Sequence, residues 1–129
     1  MKIEVSNGEI LDKVSILEIK LERIKDVEKL RNIRNERDAL EDAVQLIAAA
    51  AKSAEKYSAA LVALRSTNEA LWDVEDALRL KEKVKDFGST FVDLSRKVYV
   101  LNDRRAGLKS TINNLTGSSL REEKSYEAY

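Results

Sequence analysis

The chain has no cysteine and no histidine. Without cysteine there are no disulfides, no thiol nucleophile and no Cys-based zinc site. Without histidine the commonest general base and transition-metal ligand is missing. Any chemistry would have to run on carboxylates, lysine, tyrosine or a hard cation held by oxygen. Proline is absent too, and the four glycines, at 8, 88, 107 and 117, are too scattered to form a phosphate-cradling loop. Lys plus Arg balances Asp plus Glu at 23 each, so no net field draws the protein onto nucleic acid or anionic lipid. The opening MKIEVSNGEI lacks the apolar core of a signal peptide, and no apolar run approaches membrane-spanning length. These absences predict a cytoplasmic protein with neither nucleic acid nor membrane as a partner and with no cofactor.

What is present points to helices. The 129 residues make one domain's worth of chain. Apolar residues make up 43% and charged residues 36%, but aromatics only 5%, a composition of long helices rather than sandwiches or disordered tails. The expected fold is all-α: an antiparallel bundle of about four long helices with coiled-coil-like packing over residues 1–117, then a polar tail at 118–129. The first helix opens on Ser6 as N-cap, with Glu9 as its capping-box partner and Val5 and Ile10 in the hydrophobic-staple positions. Its stripe runs Ile10, Val14, Leu17, Leu21, Ile24 at four-three spacing. Leu11, Ile16 and Ile19 lie off that stripe and predict a second chain packed against this helix, a homodimer.

Asp26 opens a second helix with a stripe through Leu30, Ile33, Leu40, Val44 and Ile47. No Gly or Pro interrupts residues 9–87, yet one helix from 27 to 86 would run roughly 90 Å at about 1.5 Å per residue, too long for so small a domain. The break is placed near 51–56 with Ser53 as cap; Ser66, followed by Glu69, is the alternative. The third helix ends before DFGS, with Gly88 as its C-cap and Ser89 capping the next helix. In that fourth helix VYVL (98–101) resembles a strand in isolation. The spacing of Phe91, Leu94, Val98, Leu101, Leu108, Ile112 and Leu115 is helical throughout, however, and Gly117 supplies the stop.

One member of that seam is Arg105, where a leucine is expected. Tyr99, Asn102 and Lys109 lie beside it, with Asn113 one turn further. A guanidinium turned toward a core costs several kcal/mol unless a carboxylate meets it. The third helix offers one: beside the core stripe Leu71, Val74, Leu78 runs a polar edge of Asn68, Trp72, Glu75, Arg79 and Glu82, flanked by Glu69, Asp73 and Asp76. Antiparallel packing across the short FGS connection sets 72–79 against roughly 97–105. Glu75 or Asp76 is then the expected partner of Arg105. Such a polar layer can fix helix register, as buried polar groups do in coiled coils. It can also wall a pocket, with Trp72 and Tyr99 as faces and the arginines gripping an anion or sugar. A metal reading uses the acid pairs Asp38/Glu41 and Asp73/Asp76, in the manner of all-helical Mg²⁺-dependent nucleotide pyrophosphohydrolases. The carboxylates are nonetheless interleaved with arginines and lysines, which lowers their pKa values and makes them inert partners rather than catalysts. No catalytic or metal-ligating residue is assigned.

Three stretches, IEVSNGEILDKVSILEIKLERI, NEALWDVEDALRLKE and VYVLNDRRAGLKSTINNLTGSSLREEKSY, resemble a family of small bacterial and phage proteins known as domain of unknown function 6165. Some members are encoded near glycosyltransferase or surface-polysaccharide genes. The family pattern falls on Trp72, Glu75, Asp76, Tyr99, Asn102, Asp103, Arg105 and Lys109, and on Glu122, Glu123, Lys124 and Tyr126. With Arg79, the first eight are the candidate ligand- or partner-binding residues. The expected function is a non-catalytic interaction or binding module for a protein partner or small anionic ligand. An accessory role in nucleotide-sugar or polysaccharide metabolism, and a Mg²⁺-dependent hydrolase, are the alternatives.

Overall fold

The computed structural model describes all 129 residues and contains helices only. They are α1 (Asn7–Arg23), α2 (Val27–Ala39), α3 (Glu41–Ala49), α4 (Ala54–Lys83) and α5 (Ser89–Thr116). The arm expected as a single second helix is kinked at Leu40, where the N–H turns to the Arg37 carbonyl and leaves α2 and α3 as two segments. Counting that arm once gives the four helices of the expected bundle. No helix is long and apolar enough to cross a membrane.

The starts of these helices are chemically explicit. Ser6 Oγ accepts from the Glu9 N–H at 3.2 Å, Asp26 Oδ1 from Lys29 at 2.9 Å, and Ser53 Oγ from Lys56 at 3.2 Å. Each satisfies an N–H that the helix itself leaves orphaned. Ser53 therefore marks the break, and Ser66 lies inside α4. Gly117 takes the left-handed conformation that closes α5. The turn between α4 and α5 departs from expectation. Lys85, at φ 56°, is the left-handed residue, while the Asp86 N–H reaches Lys81 and the Lys85 N–H reaches Glu82 in a Schellman arrangement. Gly88 instead precedes α5 in an extended conformation, its N–H donated to Asp86, and Ser89 is already helical. Lys85 does locally what the glycine was expected to do.

Helices α4 and α5 form a long antiparallel hairpin, and α1 to α3 cover one end of it. The core gathers there: Leu11, Ile47, Tyr57, Ala60, Leu64 and Ile112 pack together. Of the three off-stripe residues of α1, Leu11 and Ile19 are only 3% and 1% exposed and are covered within their own chain, whereas Ile16 is half-buried and borders an open cleft. Along the α5 seam only Ile112 is fully buried; Phe91, Leu94, Val98 and Leu101 stay half-exposed because no third helix reaches the far end of the hairpin.

Helix α1 sits very close to α5. A Cβ built on Gly8 would lie 2.4 Å from the Lys109 carbonyl oxygen, and the Gly8 N–H donates to Asn113 Oδ1 at 2.7 Å. At Gly107 a Cβ meets nothing. We expect Gly8→Ala to cost about 1–3 kcal/mol, as overpacking against rigid backbone does. Gly107→Ala should gain about 0.5–1 kcal/mol from helix propensity. Urea unfolding of the two variants checks this; similar effects at both sites would contradict the close approach.

Candidate functional site

Asn68, on the inner face of α4, is 4% exposed. Its amide nitrogen donates to Asp12 Oδ1 at 2.9 Å and to Ser15 Oγ at 3.3 Å, both on α1. A carboxylate only accepts, so the amide orientation is dictated, and Asn68 Oδ1 is left facing α5. There it accepts a long bond of 3.5 Å from Arg105. Arg105 is thus met by a neutral amide. The expected partners are engaged elsewhere or apart: Glu75 pairs with Arg79 one turn along α4, and Asp76 forms no ion pair. Asn68 and Glu75 share one edge of α4 about two turns apart, and it is Asn68, nearer the start of α4 than the expected 72–79, that stands level with the guanidinium.

Two other half-buried arginines show the usual arrangement. Arg37 pairs with Glu18 at 3.3 Å and Glu41 at 2.7 Å. Arg65 pairs with Glu22 at 2.7 Å and Glu69 at 2.9 Å. Burial pulls both pKa values down, but the carboxylates outweigh it and raise them. Arg105 has no such anion.

The tail is a strap. Residues 118–129 turn back from Gly117 along α5 and are tied to it at several points. Lys109, with its side chain 10% exposed, donates to Glu9 at 2.6 Å and to Glu122 at 2.9 Å. Glu9 therefore belongs to this cluster rather than to a capping box. Tyr129 donates its hydroxyl to Asp103 at 2.6 Å and sets its ring edge-on to Tyr99, 5.3 Å between centroids. The Asp103 bond favours the protonated phenol and raises the Tyr129 pKa.

All the candidate residues named from sequence line one or both of two adjoining cavities. The first, about 840 Å³, lies between α5 and the strap and takes Tyr99, Asn102, Asp103, Arg105 and Lys109, with Lys124, Tyr126 and Tyr129 from the strap. The second, about 530 Å³, is an open cleft among α1, α4 and α5, lined by Ile16, Trp72, Glu75, Asp76, Arg79, Asn102 and Arg105. Asn102 and Arg105 belong to both. Trp72 is partly used already, since Arg23 sits 5.6 Å from its ring centre. Sequence reasoning missed Tyr129 and Glu9 as members of the site; an extended strap leaves no periodicity to find. The acid pairs do not assemble. Glu41 is held by Arg37 and Gln45, Asp73 by Arg23, and no three acidic side chains converge as metal ligands do.

The geometry defines a helical scaffold with a strap-covered, cation-bearing cavity. The chain belongs to a family of unknown function, DUF6165, which matches residues 1–129 in full. No curated protein and no solved structure matches it.

The clasp sets a pH window. Hydrogen bonds from Lys124 and Lys109 hold Glu122 down to about 2, from an ordinary value of 4.5. For Lys109 burial acts downward, but Glu9 and Glu122 prevail and raise it above 10.5. A lowered acid stabilises above its unfolded value and loses that contribution as pH falls through the folded one; a raised base does so as pH rises. The strap should therefore stay clasped at neutral pH and loosen as pH falls from about 4.5 towards 2, or as it rises past the ordinary lysine range. Carbon-detected NMR titration of the Glu122 carboxyl, with amide exchange over 119–129, checks this. A midpoint at the unperturbed value would contradict the clasp.

Proposed function

We propose that the protein is a non-catalytic binding module whose ligand is a small anion carrying a ring system, of the nucleoside diphosphate sugar class, held between α5 and the strap. The observation that carries this reading is Arg105. It is half-buried between two cavities and forms no ion pair, whereas Arg37 and Arg65 are each met by carboxylates. A partly desolvated guanidinium without a counter-charge is a place where an external anion gains more than it does in water. Tyr99, Tyr126 and Tyr129 offer aromatic faces beside it, and Asn102 offers both donor and acceptor for a sugar hydroxyl. A volume of about 840 Å³ lies in the range of small-molecule and cofactor sites. The sequence resemblance to proteins encoded beside glycosyltransferases makes nucleotide sugars the first candidates, and an accessory role in polysaccharide assembly the setting that fits them.

The test is thermal unfolding with a panel of nucleoside diphosphate sugars, nucleoside diphosphates and inorganic diphosphate, with and without Mg²⁺. A ligand at about a hundred times its Kd stabilises by about 2.7 kcal/mol, and we expect that shift without any metal requirement. Arg105→Gln should unfold at a temperature near that of the parent chain and lose the shift. A panel without effect, or a shift that survives Arg105→Gln, would refute the reading. Mg²⁺-dependent release of phosphate or pyrophosphate would replace it with a hydrolase.

A further inference from the structure

Between α1, the kinked α2–α3 arm and α4 lies a third cavity, of about 130 Å³. It shares no wall residue with the two that meet at Arg105. Arg37 and Val44, on either side of the kink at Leu40, both line it, so the break in the arm forms its roof. Leu11 and Val14 of α1 and Leu61 and Leu64 of α4 give it apolar walls. The charges at its edge are met by opposite ones. Glu18 bridges Arg37 at 3.3 Å and Arg65 at 3.7 Å, and Glu41 and Glu22 meet the same two arginines at 2.7 Å. Nothing there selects an ion. Ser15 is engaged as well, accepting from Asn68 at 3.3 Å.

Tyr57 is the exception among these walls. It is 8% exposed, and its hydroxyl is the one buried side-chain nitrogen or oxygen in the chain without a hydrogen-bond partner. Folded interiors seldom leave such a group unpaired, because it has lost its hydration and gained nothing in return. A single water needs two to four polar partners, whereas the walls around Tyr57 are mostly apolar and their other polar groups are engaged. Burial raises the Tyr57 pKa, so the phenol keeps its proton and is free both to donate and to accept. An apolar cavity of roughly 150 Å³ holds one benzene, which sets the apolar part of an occupant here at about six heavy atoms. We propose that this cavity binds a small neutral molecule, an apolar ring or branched chain carrying one hydroxyl or carbonyl oxygen, with that oxygen hydrogen-bonded to Tyr57. Its walls and the charge of its ligand differ from those at Arg105, so the two sites stand or fall separately.

Phenol and benzene are the probes. Methyl-detected NMR of the whole chain should show saturable shifts at Leu11, Val44 and Leu64 on titration with millimolar phenol, while the amides of 99–106 stay in place. Tyr57→Phe should lower the ratio of phenol affinity to benzene affinity about fivefold, the increment that one net hydrogen bond provides. It should melt at or above the temperature of the parent chain, since the hydroxyl it removes has no partner. Val44→Phe, which places a ring in the space, should abolish binding of both probes with Tyr57 still present. Absence of saturable shifts with phenol would overturn the proposal. So would a ratio that Tyr57→Phe leaves unchanged, or a Tyr57→Phe chain that melts well below its parent, the mark of a hydroxyl already satisfied by ordered water alone.

Discussion

Asn68 is buried at the level where α1, α4 and α5 come together, and its amide is used on both sides at once. The nitrogen holds Asp12 and Ser15 of α1, and the oxygen turns to Arg105 of α5. A buried carboxylate such as Asp12 is expensive without donors, so this amide constrains where α1 can lie on the hairpin. One end of α1 is drawn tight by the Gly8 bond to Asn113. The other leans toward the outer side of α4, where Arg23 reaches Asp73 and Glu69. Between those two fixings α1 parts from α5, and the cleft holding Trp72 and Arg105 opens.

The same geometry explains why Arg105 differs from the other half-buried arginines. Arg37 and Arg65 face the α1 carboxylates Glu18 and Glu22 across packed interfaces. Arg105 faces α1 across the cleft, with an amide between it and Asp12. The strap supplies Glu122, which is spent on Lys109 and Lys124, and Glu127, which lines the cavity without pairing with Arg105. The cavity beneath the strap therefore contains two committed cations, Lys109 and Lys124, and one without an ion pair, Arg105. That asymmetry is the feature on which the proposed anion reading rests.

Much of this architecture is legible in the residues, and the division is physical. Caps at Ser6, Asp26, Ser53 and Gly117 are local, decided within a few residues, and they form as read. The helical period through Val98–Leu101 likewise outweighs β-branched composition. Partners across helices depend on how far one helix slides along the other, which sequence spacing leaves free. Glu75 and Asp76, the expected partners of Arg105, lie about two turns along α4 from its real neighbour Asn68. Glu9 satisfies a capping-box pattern, yet a buried lysine outcompetes the backbone N–H for its carboxylate. The kink at Leu40 follows Arg37, which interrupts the α2 stripe and is claimed by Glu18 and Glu41 together. Gly8 and Gly107 look alike in sequence, and only the neighbouring helix distinguishes them.

The central claim is that Arg105, the half-buried arginine without an ion pair, is open to an external anion. Its most direct test is to observe the arginine side-chain Nε–H signals by ¹⁵N NMR while titrating inorganic diphosphate. The account predicts a saturable shift of Arg105, with the backbone amides of 99–106 and 126–129 moving at the same concentration. Arg37 and Arg65, held by carboxylates, should stay in place. A silent Arg105, or equal and unsaturating shifts of every arginine, would contradict it.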